Sequence, residues 1–376
     1  MKELSPFIAM DILEKAQEME RRGERIIHLE LGEPDFDTPR CIKEAGCRAI
    51  QGGKTHYTHS LGLFELREAV CEHYFGKYGI TVTPNRVFVA SGTSAAMVVM
   101  FSALIGSGDE VIIPDPYYSC YPNFISFFDA VPVKIDTLEE EGFQPDPAAV
   151  KAGITARTKA VLINSPSNPA GTLMEAEKMS KIAALGIPVI SDEIYHGLVY
   201  EGRERTILEF TPDAFVLNGF SKTYAMTGWR LGYVIAPAEF IRPMQKIQQN
   251  LFISANSFVQ WAGIAALREA EADVKKMRDI YNERRKYMVR RLRGMGIGVA
   301  VEPKGAFYVM GNCRDFSRDS YSLALDILSR AGVAVTPGID FGRNGEGYLR
   351  LSYANSMENI REGLDRLENY LRNLKK

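Results

Sequence analysis

Seven short apolar runs, strung along residues 87–235 between segments of helical pattern, constrain this chain more than any other feature. They fall at 87–90, 110–113, 131–135, 160–163, 188–191, 214–217 and 232–235. Most are continuous rather than alternating, the signature of strands covered on both faces. Strands of that kind joined by helices predict an α/β core on a largely parallel sheet. Residues 87–108 carry no charge and are long enough to suggest a membrane span. A polar turn, Ala90-Ser91-Gly92-Thr93-Ser94, interrupts them, so a buried strand, a tight loop and a buried helix fit better.

The flanks read differently. Ser5-Pro6 has the form of an N-cap and first-turn proline, with helical period continuing to about Arg22. A short strand is expected at 26–31, then a turn-rich loop at 32–39. Beyond a charged helix at about 269–293, strands near 306–310, 334–336 and 348–352 and a terminal amphipathic helix give an α+β pattern. The expected division is a large domain, 45–275, and a smaller one from both chain ends, 1–44 plus 276–376.

Lys and Arg number 45 against 47 Asp and Glu, a net charge of -2, so nothing favours nucleic acid. The five cysteines are scattered and odd in number, which suggests reduced, mostly buried thiols. The first residues lack a signal-peptide pattern, and a cytoplasmic protein is expected. None of the five histidines stands in HxxxH or HExxH spacing, so no metal is expected. Gly294-Met295-Gly296-Ile297-Gly298 follows a helix rather than a strand and lacks the third glycine's spacing in a dinucleotide loop.

The informative stretch is Ser221-Lys222-Thr223-Tyr224-Ala225-Met226-Thr227-Gly228-Trp229-Arg230-Leu231-Gly232. Lys222 lies just past a buried strand, where burial lowers an amine's pKa and suits it to attack a carbonyl. Arg230 offers a planar, permanent cation for a phosphate. Gly92-Thr93-Ser94, between a strand and a helix, offers hydroxyls and backbone N–H groups for the same anion. Asp192-Glu193-Ile194-Tyr195 and Asn168-Pro169-Ala170-Gly171 each follow a predicted strand, where α/β proteins bind ligands.

Together with Gly32-Glu33-Pro34-Asp35-Phe36, Tyr57, Gly62, Leu66-Arg67, Asp115-Pro116-Tyr117-Tyr118, Gly305-Ala306-Phe307-Tyr308 and Leu349-Arg350-Leu351-Ser352, these segments occur in one order. In that order they resemble the class I/II aminotransferases of pyridoxal-phosphate (PLP) fold type I, the aspartate aminotransferase superfamily. The resemblance implies PLP as cofactor, with Lys222 as Schiff-base lysine and proton shuttle in a ping-pong transfer from an L-amino acid to a 2-oxo acid such as 2-oxoglutarate. It implies Asp192 on the pyridinium nitrogen and Tyr195 and Asn168 on the phenolic oxygen. Gly92, Thr93, Ser94, Ser221 and Arg230 are implied at the phosphate, Tyr118 stacked on the ring, and Gly32 and Arg350 at the substrate. Tyr57 is implied to reach the phosphate from the second subunit of a homodimer.

Two departures bear on specificity. Some aspartate aminotransferases carry a lysine where this chain has Ser94, and Gln248-Gln249-Asn250-Leu251-Phe252-Ile253-Ser254 has no cation for a distal carboxylate. A pocket for neutral or aromatic side chains is therefore expected. The same motifs also serve PLP lyases of C–S or C–C bonds, which stand as the alternative. Effector-binding modules of transcription regulators share the fold, but no DNA-binding domain is expected ahead of Gly32.

Overall fold

The computed structural model describes Leu4 and residues 6–374. A seven-stranded sheet forms its centre, from β2 (Val87–Ala90), β3 (Glu110–Asp115), β4 (Val131–Asp136), β5 (Thr158–Asn164), β6 (Val189–Asp192), β7 (Ala214–Gly219) and β8 (Gly232–Ile235). Their order is β2-β8-β7-β6-β5-β3-β4. Neighbours from β7 to β4 are parallel, and β8 alone runs antiparallel to both its partners. The strands β2, β3, β6, β7 and β8 are buried at every position. Apolar clusters cover both faces of the sheet, which is why these runs do not alternate. A fully buried Val, Leu or Ile contributes roughly 1.5–3 kcal/mol, so the sheet's apolar strands anchor the loops at their ends.

The chain ends combine beside this sheet. A two-residue strand β1 (Ile27–His28) pairs in parallel with β10 (Val333–Ala334). Strands β11 (Thr336–Pro337), β12 (Tyr348–Ser352) and β9 (Tyr308–Asn312) form an antiparallel sheet. A third apolar cluster fills this region. Helix α1 (Ile8–Arg21) buries Ala9, Ile12 and Ala16, a one-face spacing. The charged helix Glu271–Met295 stops at Gly296, whose φ of 87° permits the left-handed turn.

Several expectations are corrected. Ser5 lies outside the described residues, and Pro6 precedes the helix, which begins at Ile8 with Phe7 at the N-cap position. The strand expected over 26–31 shrinks to Ile27–His28, because Val333 and Ala334 are its sole strand partners. The cysteines are unpaired but not mostly buried: Cys313 is buried, Cys47 is exposed, and the others are intermediate. The uncharged stretch is β2 followed by helix Thr93–Leu104, and no described helix is long and apolar enough to cross a membrane.

Candidate active site

The chemistry-bearing residues collect along one edge of the large sheet because its strands end there. Asn164 and Asp192 close β5 and β6 in register, and Lys222 follows β7 by three residues. Gly92 and Thr93 follow β2 on the same edge. The reversal of β8 matters here: it starts at this edge, so Arg230, two residues before it, stands beside Gly92. The approach is close enough that a Cβ on Gly92 would lie 2.6 Å from Arg230 Nη2. A Cβ on Gly232 would lie 2.8 Å from the Thr93 amide. Gly32, Thr93, Ser94, Tyr118, Asn168, Asp192, Tyr195, Ser221, Lys222, Arg230 and Arg350 line a single cleft of about 330 Å³.

Lys222 donates to the Gly32 carbonyl at 2.7 Å. Burial draws its amine down to about 8, against the pull of the Glu33 carboxylate, which favours the charged form. Asp192 is pushed up to about 6 by burial, opposed by hydrogen bonds from Tyr121 Oη at 2.6 Å and Ile194 N at 3.1 Å. Neither residue forms an ion pair among the described residues, an arrangement that costs free energy without a further partner.

Arg350, on β12, is buried between two rings, its guanidinium 4.4 Å from the centroid of Tyr308 and 4.8 Å from that of Phe341. Nη1 donates to Asn168 Oδ1 at 3.0 Å, and Nη2 to the Glu30 carbonyl at 2.5 Å and Thr336 Oγ1 at 3.2 Å. Its buried Nε has no hydrogen-bond partner among the described residues. Tyr195 shares a hydrogen bond with Tyr308 between their hydroxyls, 2.9 Å apart. Gly32 is needed for closeness to a side chain: a Cβ there would sit 2.3 Å from Tyr308 Oη.

Tyr57 stands apart. It is 81% exposed and does not line the cleft within one chain. Three residues that the sequence reading left without roles take part. Tyr121 holds Asp192. Tyr308 packs on Arg350 and Tyr195. Asn164 joins the turn to the neighbouring strand, accepting from Asn168 N at 2.7 Å and donating to the Asp192 carbonyl at 2.9 Å. Tyr308 lay inside a quoted motif, and Tyr121 lies three residues beyond Tyr118, so spacing carried a faint signal for both.

The residues fit pyridoxal phosphate. A cradle in which a Cβ on Gly92 would crowd the Arg230 guanidinium adjoins a helix start, a buried carboxylate with no ion pair among the described residues faces the same cleft, and a lysine of lowered basicity stands with it. A mostly parallel sheet with these groups at its strand ends defines the class, a fold type I PLP enzyme. Residues 24–367 match the profile of aminotransferase class I and II, and the chain belongs to that family. It is a PLP-dependent aminotransferase. It is 43% identical over 370 residues to a (5-formylfuran-3-yl)methyl phosphate transaminase of Methanocaldococcus jannaschii, covering 97% of this chain and 96% of that one. It is 40% identical to an aspartate/prephenate aminotransferase of Thermus thermophilus, covering 98% and 97%. A crystal structure from Methanococcus jannaschii, described as similar in its active site to kynurenine aminotransferases, superposes with a TM-score of 0.91 at 43% identity, covering 98% of each chain.

Proposed function

We propose that this aminotransferase takes its amino group from a neutral or aromatic L-amino acid rather than from aspartate, and delivers it to a 2-oxo acid, with 2-oxoglutarate as the expected acceptor. The charge distribution of the cleft carries this reading. Among the described residues its lining cations are Lys222, Arg230 and Arg350. Each has another task in the reaction, and Ser94 supplies no charge for a second substrate carboxylate. Phe7, Met10, Leu31 and Met97 give the same cleft apolar surface. The relative likened to kynurenine aminotransferases supports the reading, since kynurenine is a neutral aromatic amino acid.

When bound, pyridoxal phosphate supplies an aldehyde conjugated to an electron-drawing ring. Lys222 would hold this aldehyde through its amine, and that amine, once displaced by the substrate's amino group, would be free to act as base on the substrate Cα proton. Asp192 would keep a proton on the ring nitrogen. Tyr195 would donate to the ring oxygen, as would Asn168, whose Oδ1 is taken by Arg350 and whose amide hydrogens remain. Arg230, Gly92, Thr93, Ser94 and Ser221 would bind the phosphate, and Tyr118 would offer its ring face to the cofactor. Arg350 binds the substrate carboxylate, with Gly32 alongside.

The reading includes a homodimer in which Tyr57 reaches the partner's phosphate site. Tyr57 is exposed together with Leu251, Phe252 and Ile253, and Thr58 N donates to Ser254 Oγ at 3.4 Å, joining the two loops in one partly apolar surface. It also includes the two-domain division, 45–275 and 1–44 plus 276–376, supported by separate apolar clusters. Unpaired cysteines support a reducing compartment such as the cytoplasm. Turnover with aspartate, alanine, phenylalanine and tyrosine, scored as 2-oxo acid formed, tests the specificity. Aspartate turned over much faster than the others would overturn it. Lys222→Ala is expected to abolish turnover while the cofactor stays bound and is released by denaturant; near-normal activity would refute the lysine's role.

A further inference from the structure

Helix α1 has no capping side chain of its own. Its first amides are met by a carboxylate 332 residues away in sequence: Asp340 Oδ1 accepts from Ile8 N at 2.9 Å, and Oδ2 from Ala9 N at 3.4 Å. The same Oδ2 accepts the hydroxyl of Ser119, next to Tyr118, at 2.9 Å. Asp340 is 8% exposed, and it forms no ion pair among the described residues. A buried carboxylate without a cation is tolerable because charge-assisted donors and a helix N-terminus surround it.

What this carboxylate fixes is a wall of the cleft. Phe7, Ala9 and Met10, all in the first turn of α1 or just before it, line the cleft. Phe7 meets the Tyr118 ring edge-on, with centroids 6.1 Å apart and planes at 86°. Met10 remains 42% exposed, an apolar side chain at the cleft without full cover. Asp340 itself does not line the cleft, so it acts on substrate through α1, through the Tyr118 loop and through its field on Arg350, which all amino-acid donors share.

We propose that Asp340 is a positioning residue for substrate selection: by tying the first turn of α1 to the loop of Tyr118, it sets the wall that large apolar donor side chains touch. The proposal rests on the apolar-donor reading above and names the element that enforces it. Alanine, whose side chain is a single methyl group, serves as the reference substrate.

The test uses Asp340→Ala and Ser119→Ala holoenzymes with phenylalanine and alanine as donors. Asp340→Ala is expected to raise the KM for phenylalanine relative to alanine about tenfold, with kcat changing less than KM. Amide hydrogens of residues 8–12 should exchange faster, while the cofactor absorbance band stays as in the parent enzyme. Ser119→Ala, losing one of three donors, should move the same ratio about two- to threefold. If Asp340→Ala does not fold, the ratio and exchange in Ser119→Ala decide. Equal losses on both donors, or unchanged exchange at residues 8–12, overturn the proposal. A parent enzyme that strongly prefers aspartate counts against the apolar-donor reading instead, and exchange at residues 8–12 then judges Asp340.

Discussion

Tyr121 donates its phenolic hydrogen to Asp192 across 2.6 Å, inside the protein and facing the cleft. That bond opposes the burial that drives the carboxyl up to about 6. Tyr121→Phe removes the donor and little else. A hydrogen bond to a charged group contributes about 1.5–3 kcal/mol, so cofactor affinity or kcat should fall about 10- to 100-fold. Cofactor titration and steady-state kinetics measure this; unchanged values would show the bond to be incidental.

Arg350 is held by Asn168, Glu30 and Thr336 and stacked between Tyr308 and Phe341. Lysine keeps the charge but loses the planar fork and the stacking. Arg350→Lys is expected to lower kcat/KM for amino-acid donors about 100-fold, chiefly through KM, with a smaller effect on cofactor binding. A loss confined to kcat would argue against a carboxylate clamp.

The pH behaviour of Lys222 follows from its surroundings. Burial, first, lowers its pKa to about 8, so the free amine is gained as pH rises through 8 rather than near 10.5. In the cofactor-free protein, acylation of Lys222 followed by mass spectrometry should titrate with a midpoint near 8. Glu33 favours the ammonium, so Glu33→Gln should move the midpoint lower. A midpoint near 10.5, or an upward move in the variant, would contradict this account.

Gly92 has φ of 85°, and a Cβ there would strike the Arg230 guanidinium. Gly92→Ala combines backbone strain of about 1–3 kcal/mol with displacement of Arg230, the cation proposed to bind the phosphate. Cofactor affinity should fall about tenfold or more, read by dialysis and reloading. Equal affinity would remove Arg230 and Gly92 from the cradle.

Lys222, Asp192 and Arg230 were legible because they stand beside the ends of apolar strands, where a charge needs a reason, whereas Arg350, in the middle of β12, was legible only through the family resemblance. Tyr121, Tyr308 and Asn164 were not, since aromatic and amide side chains are common in loops and their partners lie on other strands. Asn164 acts through its register with Asp192, a pairing no local pattern encodes. The placement of Arg230 beside Gly92 depends on the reversed direction of β8, which its apolar run does not reveal. The start of α1 was misread for a related reason. A local Ser-Pro signal was expected to cap it, while the cap comes from Asp340 in the folded-back C-terminal part.

The pairing of β1 with β10 also orders events during translation. Ile27 and its partner Val333 leave the ribosome far apart in time, roughly 15–60 s at about 5–20 residues per second. Throughout that interval α1 offers Ala9, Ile12 and Ala16 with neither their covering core nor the Asp340 cap available. Residues 92–230, which carry the proposed phosphate cradle and Lys222, are synthesised well before Arg350, the proposed substrate clamp. The groups proposed for the cofactor thus precede, in order of synthesis, the arginine proposed for the amino acid.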